Sequence, residues 1–422
     1  MRMWFLFLLC IFLLGCAEKQ SQLTFAVGGA PNEVDYWENI IGEFEAMSDI
    51  EVKVVRQPTD TDQRRQTLII PLRAKQRDPD VFLMDVAWIG QFAASGWLFS
   101  LNQYIEKSKF DTSTVFSNIL QQVDMYDGEV KAFPVYIDCG ILYYRKDLLD
   151  TYDCDIPETW EDLVSCAKQV QQAERQDNPR FYGLVWQGAQ YEGLICSFIE
   201  FVAAHGGYIV DDTGALAVDN EKNIQALEFM RDLIHKHKIS PPNTYTEMKE
   251  EEVRTYFQNG NALFERNWPY AWKLHDGDDS PVKGNVGMTL LPKSTGGRHA
   301  ATLGGWHIGI SAYSDRKDEA WRLVRFILSY DVQKRFTLEL GWNPGRMDIY
   351  EDVMVSEKMS HIGVLKRAFD HAIARPNVPY YTRLSEVMQR YVNAAISGDM
   401  EPAHALHRAQ EEIEKLVDVY HE

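Results

Sequence analysis

The sequence predicts an α/β chain of largely parallel sheets flanked by helices, and three observations carry that prediction. Short apolar segments alternate with amphipathic ones almost from the start. The short segments are rich in β-branched and aromatic residues, and the connections between them are long enough to be crossover helices. With 422 residues the chain also exceeds what one hydrophobic core usually organises, so two lobes are expected.

Leu23 to Val27 reads as a strand, Gly28-Gly29-Ala30-Pro31 as a loop, and Tyr36 to Met47 as a helix. Trp37, Ile40, Ile41, Phe44 and Met47 recur along one face of that helix. Glu51 to Val55 and Asp80 to Asp85 supply two more strands, whose carboxyl-end loops are where such folds bind small ligands. Thr159 and Asp162 form a capping box ahead of Leu163, Ala167 and Val170. Ile224 to Ile234 is an amphipathic helix, and Pro241-Pro242 ends its unit. Leu323 to Leu328 is helical behind the charged Asp315 to Glu319, and Glu411 to Tyr420 forms a last helix. No repeat with a period of about 20 to 50 residues occurs, so a solenoid is not expected.

The composition is that of a globular chain, and a formal charge of -19 repels nucleic acid and anionic lipid, so neither is an expected partner. No cofactor or metal is expected. Gly28-Gly29 lacks the spacing of a phosphate loop, the histidines are scattered without H-E-x-x-H, no C-x-x-C occurs, and Asp276-Gly277-Asp278-Asp279 lacks the calcium-loop pattern. Cys139, Cys154, Cys166 and Cys196 allow one or two disulfides. Cys139 with Cys154 is one option, but spacing does not fix the pairing.

Leu13-Leu14-Gly15-Cys16 closes an apolar stretch that begins at Trp4 behind Arg2, and it resembles a bacterial lipobox. The resemblance implies a leader over 1–15, acylation of Cys16 and work outside the cytoplasm, in a periplasm or at a cell surface. The stretch is shorter than the ~20 residues that span a bilayer; a retained helix is the alternative. Ala17 leaves the choice of membrane open.

The chain has 11 Trp, 20 Tyr and 20 Phe, and the informative ones sit in polar, Gly-rich contexts. These are Asn267-Trp268-Pro269-Tyr270, Leu303-Gly304-Gly305-Trp306-His307 and Leu340-Gly341-Trp342-Asn343-Pro344. An indole face covers the C–H face of a sugar without a hydrogen-bond demand, while carboxylates and guanidinium groups take the ring hydroxyls. Such a mixture in strand-end loops reads as a polyol or sugar cleft. Core packing with scattered surface charge is the alternative.

The Glu33 loop, Pro79 to Trp88, Ala132 to Asp138, the Trp268 loop, Gly304-Gly305-Trp306 and Ala374-Arg375-Pro376 together resemble the ABC-transporter extracellular solute-binding proteins of family 1, sugar type. Within them the chain resembles the trehalose/maltose-binding branch. The resemblance implies a type II periplasmic-binding-protein fold: two lobes joined by three crossings, closing over a ligand in the cleft. The first lobe would hold 17–133 and 286–328, the second 134–285 and 329–422. It also implies a neutral disaccharide or short oligosaccharide such as maltose or trehalose, no catalysis, a monomer, and delivery to an ABC permease and its ATPase.

The same resemblance implies the site. Glu33 and Asp85 would accept hydroxyl protons and Arg64 would donate, with Arg65 able to take its place if the helix phase differs by one. Tyr136 and Asp138 fall at the first crossing, Trp268 is a platform, Gly305 and Trp306 present backbone and ring, and Arg375 is a second donor. Each has a plainer reading: Glu33 complements a helix N-terminus, Asp85 caps a turn, Tyr136 packs on the sheet and Arg64 is a solvated helix charge. Two other functions stay open, a glycoside-acting enzyme and a binder of sugar phosphate. The enzyme needs two carboxylates about 5 to 9 Å apart, one with a raised pKa, whereas Arg64 and Arg375 are expected to hold the acids low. The acidic surroundings disfavour a phosphate dianion.

Overall fold

The computed structural model describes residues 22–29, 31–211 and 215–421. The leader and the expected lipidation at Cys16 lie outside the described residues.

Two sheets organise the chain. Strand β1 (Leu23–Gly28) pairs parallel with β2 (Val52–Gln57) on one side and β3 (Val81–Asp85) on the other, because helices α1 (Pro31–Met47) and α2 (Thr61–Arg73) carry the chain back to the same end of the sheet each time. A short hairpin of β4 (Met125–Tyr126) and β5 (Glu129–Val130) precedes β6 (Ala132–Cys139). The second sheet contains β7 (Ile141–Arg145), β8 (Tyr182–Val185), β9 (Ala262–Asn267) and β10 (Val286–Thr289) in the order β10-β7-β9-β8. The chain then returns to the first sheet through β11 (Ala301–Ile310) and the two-residue β12 (Ala372–Ile373). Among the pairs, β1/β2, β1/β3, β8/β9 and β11/β12 are parallel, whereas β11 runs antiparallel to β3 and β6, and β7 antiparallel to β9 and β10. The expectation of parallel sheets therefore holds where a helix bridges successive strands and stops where the chain changes sheets.

Strand alternation separates two cores. Leu23, Phe25 and Val27 of β1, with Val81, Leu83, Ile308 and Ile310, pack on Trp37, Ile40, Ile41 and Phe44 of α1 and on the helix Lys317–Ile327. Ala26, Phe82 and Met84 face the other side, against Leu68 and Leu72 of α2. Met47 departs from expectation: it continues the apolar spacing of α1 but is 77% exposed, because the helix outruns the sheet beneath it. In the second sheet's layer, Thr159 and Asp162 make both reciprocal bonds of the expected capping box.

The strands set the changes of sheet later than the expected boundaries. Residues 134–139 remain in the first sheet within β6, and 286–289 belong to the second within β10. Past 328, Val332 and Phe336 still pack in the core with Phe25 and Trp37. No helix among the described residues is long and apolar enough to cross a membrane.

Candidate functional site

Strand register builds the floor of the site. In β11, Trp306 stands opposite Asp85 of β3 on one side and Tyr136 of β6 on the other, and Gly304 stands opposite Asp138. Directly paired residues, and residues two apart on one strand, share a face of the sheet, so Asp85, Trp306, Tyr136 and Asp138 form one surface. A register shift follows Trp306, and His307 turns to the opposite side, where its Nδ1 meets Asp124 at 2.6 Å in full burial.

Helix starts and loops build the walls. Arg64 of α2 is 5% exposed; its guanidinium carbon lies 4.3 Å from the Trp306 ring centroid, and its Nε donates to the Pro58 carbonyl at 2.7 Å. Burial pulls the Arg64 pKa down, while the nearby Tyr136, Glu33, Asp85 and Asp60 oppose that pull. Arg65 points elsewhere and donates to Gln91 Oε1 at 2.6 Å, so the helix phase selects Arg64. Glu33 lies in the first turn of α1, where its Oε1 accepts from Trp342 Nε1 at 3.3 Å. Trp342 in turn stacks on Tyr136, with centroids 4.2 Å apart and planes 26° apart.

Asp85 combines its plainer and its functional reading. Oδ1 caps the following turn by accepting from Ala87 N at 2.8 Å, and the same oxygen accepts from Arg375 Nη2 at 3.2 Å. Arg375 also donates through Nη1 to Glu192 Oε1 at 3.0 Å. Burial opposes that charge, but Asp85, Tyr381 and Glu192 hold the guanidinium well above its usual pKa. Glu192 is fixed in turn by the hydroxyls of Tyr381 and Ser385.

Asp138 contradicts the expectation that arginines keep the site's acids low. Burial pushes its carboxyl up to about 7, Glu33 adds to the rise, and the bond from Asn343 Nδ2 at 2.9 Å opposes it. The arginines are spent on Trp306, Asp85 and Glu192 instead.

Trp268 enters from the second sheet. The buried Arg266 is clamped by Glu200 through bonds of 2.8 and 2.5 Å, and its guanidinium lies 4.4 Å from the Trp268 ring centroid. The indole also abuts Gly304, where a Cβ would stand 3.3 Å from it. Gly305 has φ of +126°, and a Cβ there would lie 2.4 Å from the Tyr136 carbonyl oxygen, so no side chain fits.

All nine expected residues thus converge, and the site's walls touch one another. A separate polar groove of about 390 Å³ lies between α2 and the helix Tyr381–Ser397, lined by Arg65, Arg73, Gln91 and Arg383, and none of the nine lines it. Glu192, Trp342 and Asn343 join the site beyond the expected set. The last two lie in a Gly-Trp-Asn-Pro run already conspicuous in sequence. Glu192 carries no sequence signal beyond that of an acid in the first turn of a helix. Two buried atoms, Arg375 Nε and Asn343 Oδ1, have no hydrogen-bond partner among the described residues. No His, Cys, Asp and Glu cluster among them could hold a metal.

The family model described as bacterial extracellular solute-binding protein matches residues 30–334. A probable ABC transporter-binding protein of Deinococcus radiodurans is 36% identical over 348 residues, 82% of this chain and 81% of that protein. A maltotriose-binding protein of Pyrococcus abyssi is 26% identical over 403 residues, 91% of this chain and 80% of that protein. The solved structure of maltose-bound T. maritima MalE3 superposes with a TM-score of 0.81 at 38% identity, covering 94% of this chain and 99% of that one. The architecture is the two-lobed type II periplasmic-binding fold, and the relatives are substrate-binding proteins rather than enzymes. With a family model across most of its length and a relative above one third identity over four fifths of it, the chain belongs to the bacterial extracellular solute-binding proteins.

Proposed function

We propose that the protein binds a neutral disaccharide or short oligosaccharide, maltose and trehalose foremost, and delivers it to an ABC importer. One observation carries the reading: Asp85, Trp306 and Tyr136 stand in a row across three strands, with Arg64 and Arg375 laid against that row. Aromatic rings beside charged hydrogen-bonding groups suit a ligand with apolar C–H faces and a hydroxyl rim. The unpartnered Arg375 Nε and Asn343 Oδ1 add a donor and an acceptor that a polyhydroxylated ligand satisfies. The names of the relatives, maltose-bound and maltotriose-binding, point the same way.

In this reading Glu33, Asp85 and Asp138 accept from sugar hydroxyls, Arg64 and Arg375 donate, Trp268 and Trp306 cover ring faces, and Tyr136 and Gly305 shape the floor. The lobes close around the ligand, and only the loaded form offers the permease its complete surface. Lipid on Cys16 tethers a monomeric protein to the membrane outside the cytoplasm. A tryptophan-emission titration with maltose, trehalose and maltotriose tests the reading. A saturable shift is expected with at least one of them, and no shift with any neutral di- or trisaccharide overturns it.

A further inference from the structure

The four cysteines of the described chain are free thiols, and two of them meet. Cys139 lies buried in β6 of the first sheet and Cys196 in the helix Glu192–Ala204, so the pairing of Cys139 with Cys154 allowed by the sequence is not the one the fold brings together. Cys154 instead lies in a segment folded back on the helix Trp160–Glu174. The Tyr152 hydroxyl donates to Glu174 Oε1 at 2.6 Å, and Gln169 Nε2 donates to the Tyr152 carbonyl at 2.9 Å. Asp153 turns the chain with φ of +53°, and Cys154 N donates to the Leu149 carbonyl at 3.0 Å. These bonds hold the half-buried Cys154 thiol beside the buried thiol of Cys166, one turn before Gln169 on the same helix.

We propose that Cys154 and Cys166 are a modification site, oxidised to a disulfide in the extracytoplasmic medium where this family works. The oxidant is a small-molecule or protein disulfide. The more exposed Cys154 thiolate attacks one of its sulfurs, forming a mixed disulfide and releasing one thiol. Cys166 then loses its proton and attacks the Cys154 sulfur, forming the protein disulfide and releasing the second thiol. The two protein cysteines give up two electrons and two protons, and the oxidant is reduced to two thiols. The bond closes a short ring around the Thr159 cap and staples the middle of the helix to the segment before it, and none of the nine candidate residues lies within the ring.

The test uses the full-length chain, equilibrated with oxidised glutathione and then alkylated. Both cysteines fall in one tryptic peptide, 147–168, because no Lys or Arg lies between Lys146 and Lys168. That peptide is expected without alkyl groups and two hydrogens lighter, and additional cleavage at Glu158 or Glu161 is expected to leave two pieces that stay linked until reduction separates them. Reduction of the intact protein is expected to lower its thermal midpoint by about 5 °C. Cys166→Ser should abolish the mass deficit and leave Cys154 open to alkylation, and Cys154→Ser should abolish it equally if the first variant does not fold. Two alkylated thiols in wild type after equilibration, or Cys154 recovered in a link to Cys139 or Cys196, overturns the assignment.

Discussion

The guanidinium of Arg64 lies 4.3 Å from the ring centroid of Trp306, covering an aromatic surface in the floor of the candidate site. A sugar ring seated on that indole exchanges this cation–π contact for C–H contacts, while Arg64 remains held by the Pro58 carbonyl. Trp306→Ala is therefore expected to weaken sugar binding by about 2 kcal/mol, some thirtyfold in Kd, with a smaller effect on stability. Parallel binding and urea-unfolding titrations check this, and unchanged affinity in a folded variant assigns the ring to packing.

Arg375 bridges Asp85 and Glu192, so in the proposed function Glu192 acts on ligand through that bridge. Glu192→Gln is expected to lower affinity about tenfold in the wild-type background and to have little effect once Arg375 is Met. Full additivity of the two losses in a double-mutant cycle would make Glu192 independent of Arg375.

Asp138 titrates near 7 in the fold against an ordinary 3.8. A carboxyl with a raised native pKa leaves the folded state binding more protons than the unfolded one between those values, so its contribution to stability is lost as pH climbs from about 4 to about 7. Because the group is half-buried, about 2 kcal/mol is expected rather than the full conversion of the shift. Asp138→Asn should flatten the pH dependence of the urea midpoint across this window, and an equal slope in both proteins would place the titration elsewhere.

Gly305 has φ of +126° and backbone of β6 where a Cβ would stand. Gly305→Ala is expected to destabilise the protein by about 2 to 3 kcal/mol, because the obstacle is the Tyr136 carbonyl and the Ile137 Cα rather than a movable side chain. Chemical denaturation measures this directly.

How far the sequence reached depends on the range of the interaction. Alternation in Leu23 to Val27 and the spacing of Trp37, Ile40, Ile41 and Phe44 are local, and both elements form, although α1 begins at Pro31, in the expected loop, rather than at Tyr36. The same spacing misplaced Met47, since periodicity does not show where the supporting sheet ends. The nine expected residues converge because helix starts (Glu33, Arg64) and strand ends (Asp85, Trp268) meet a floor of residues inside β6 and β11 (Tyr136, Asp138, Gly305, Trp306), so the strand-end reading of the Gly305-Trp306 run does not hold. Glu192 reaches Arg375 across 183 positions, and Asp138 escapes the arginines through tertiary packing, so neither fact has a local signature. The meeting of Cys154 with Cys166 depends likewise on a loop docking onto a helix.

Isothermal calorimetry against neutral di- and trisaccharides, run beside an assay for released monosaccharide, tests binding without turnover most directly. Saturable heat at one site per chain with at least one sugar, and no product over hours, is the expected result. Absence of heat across the panel, or monosaccharide released at enzymatic rates, would contradict it.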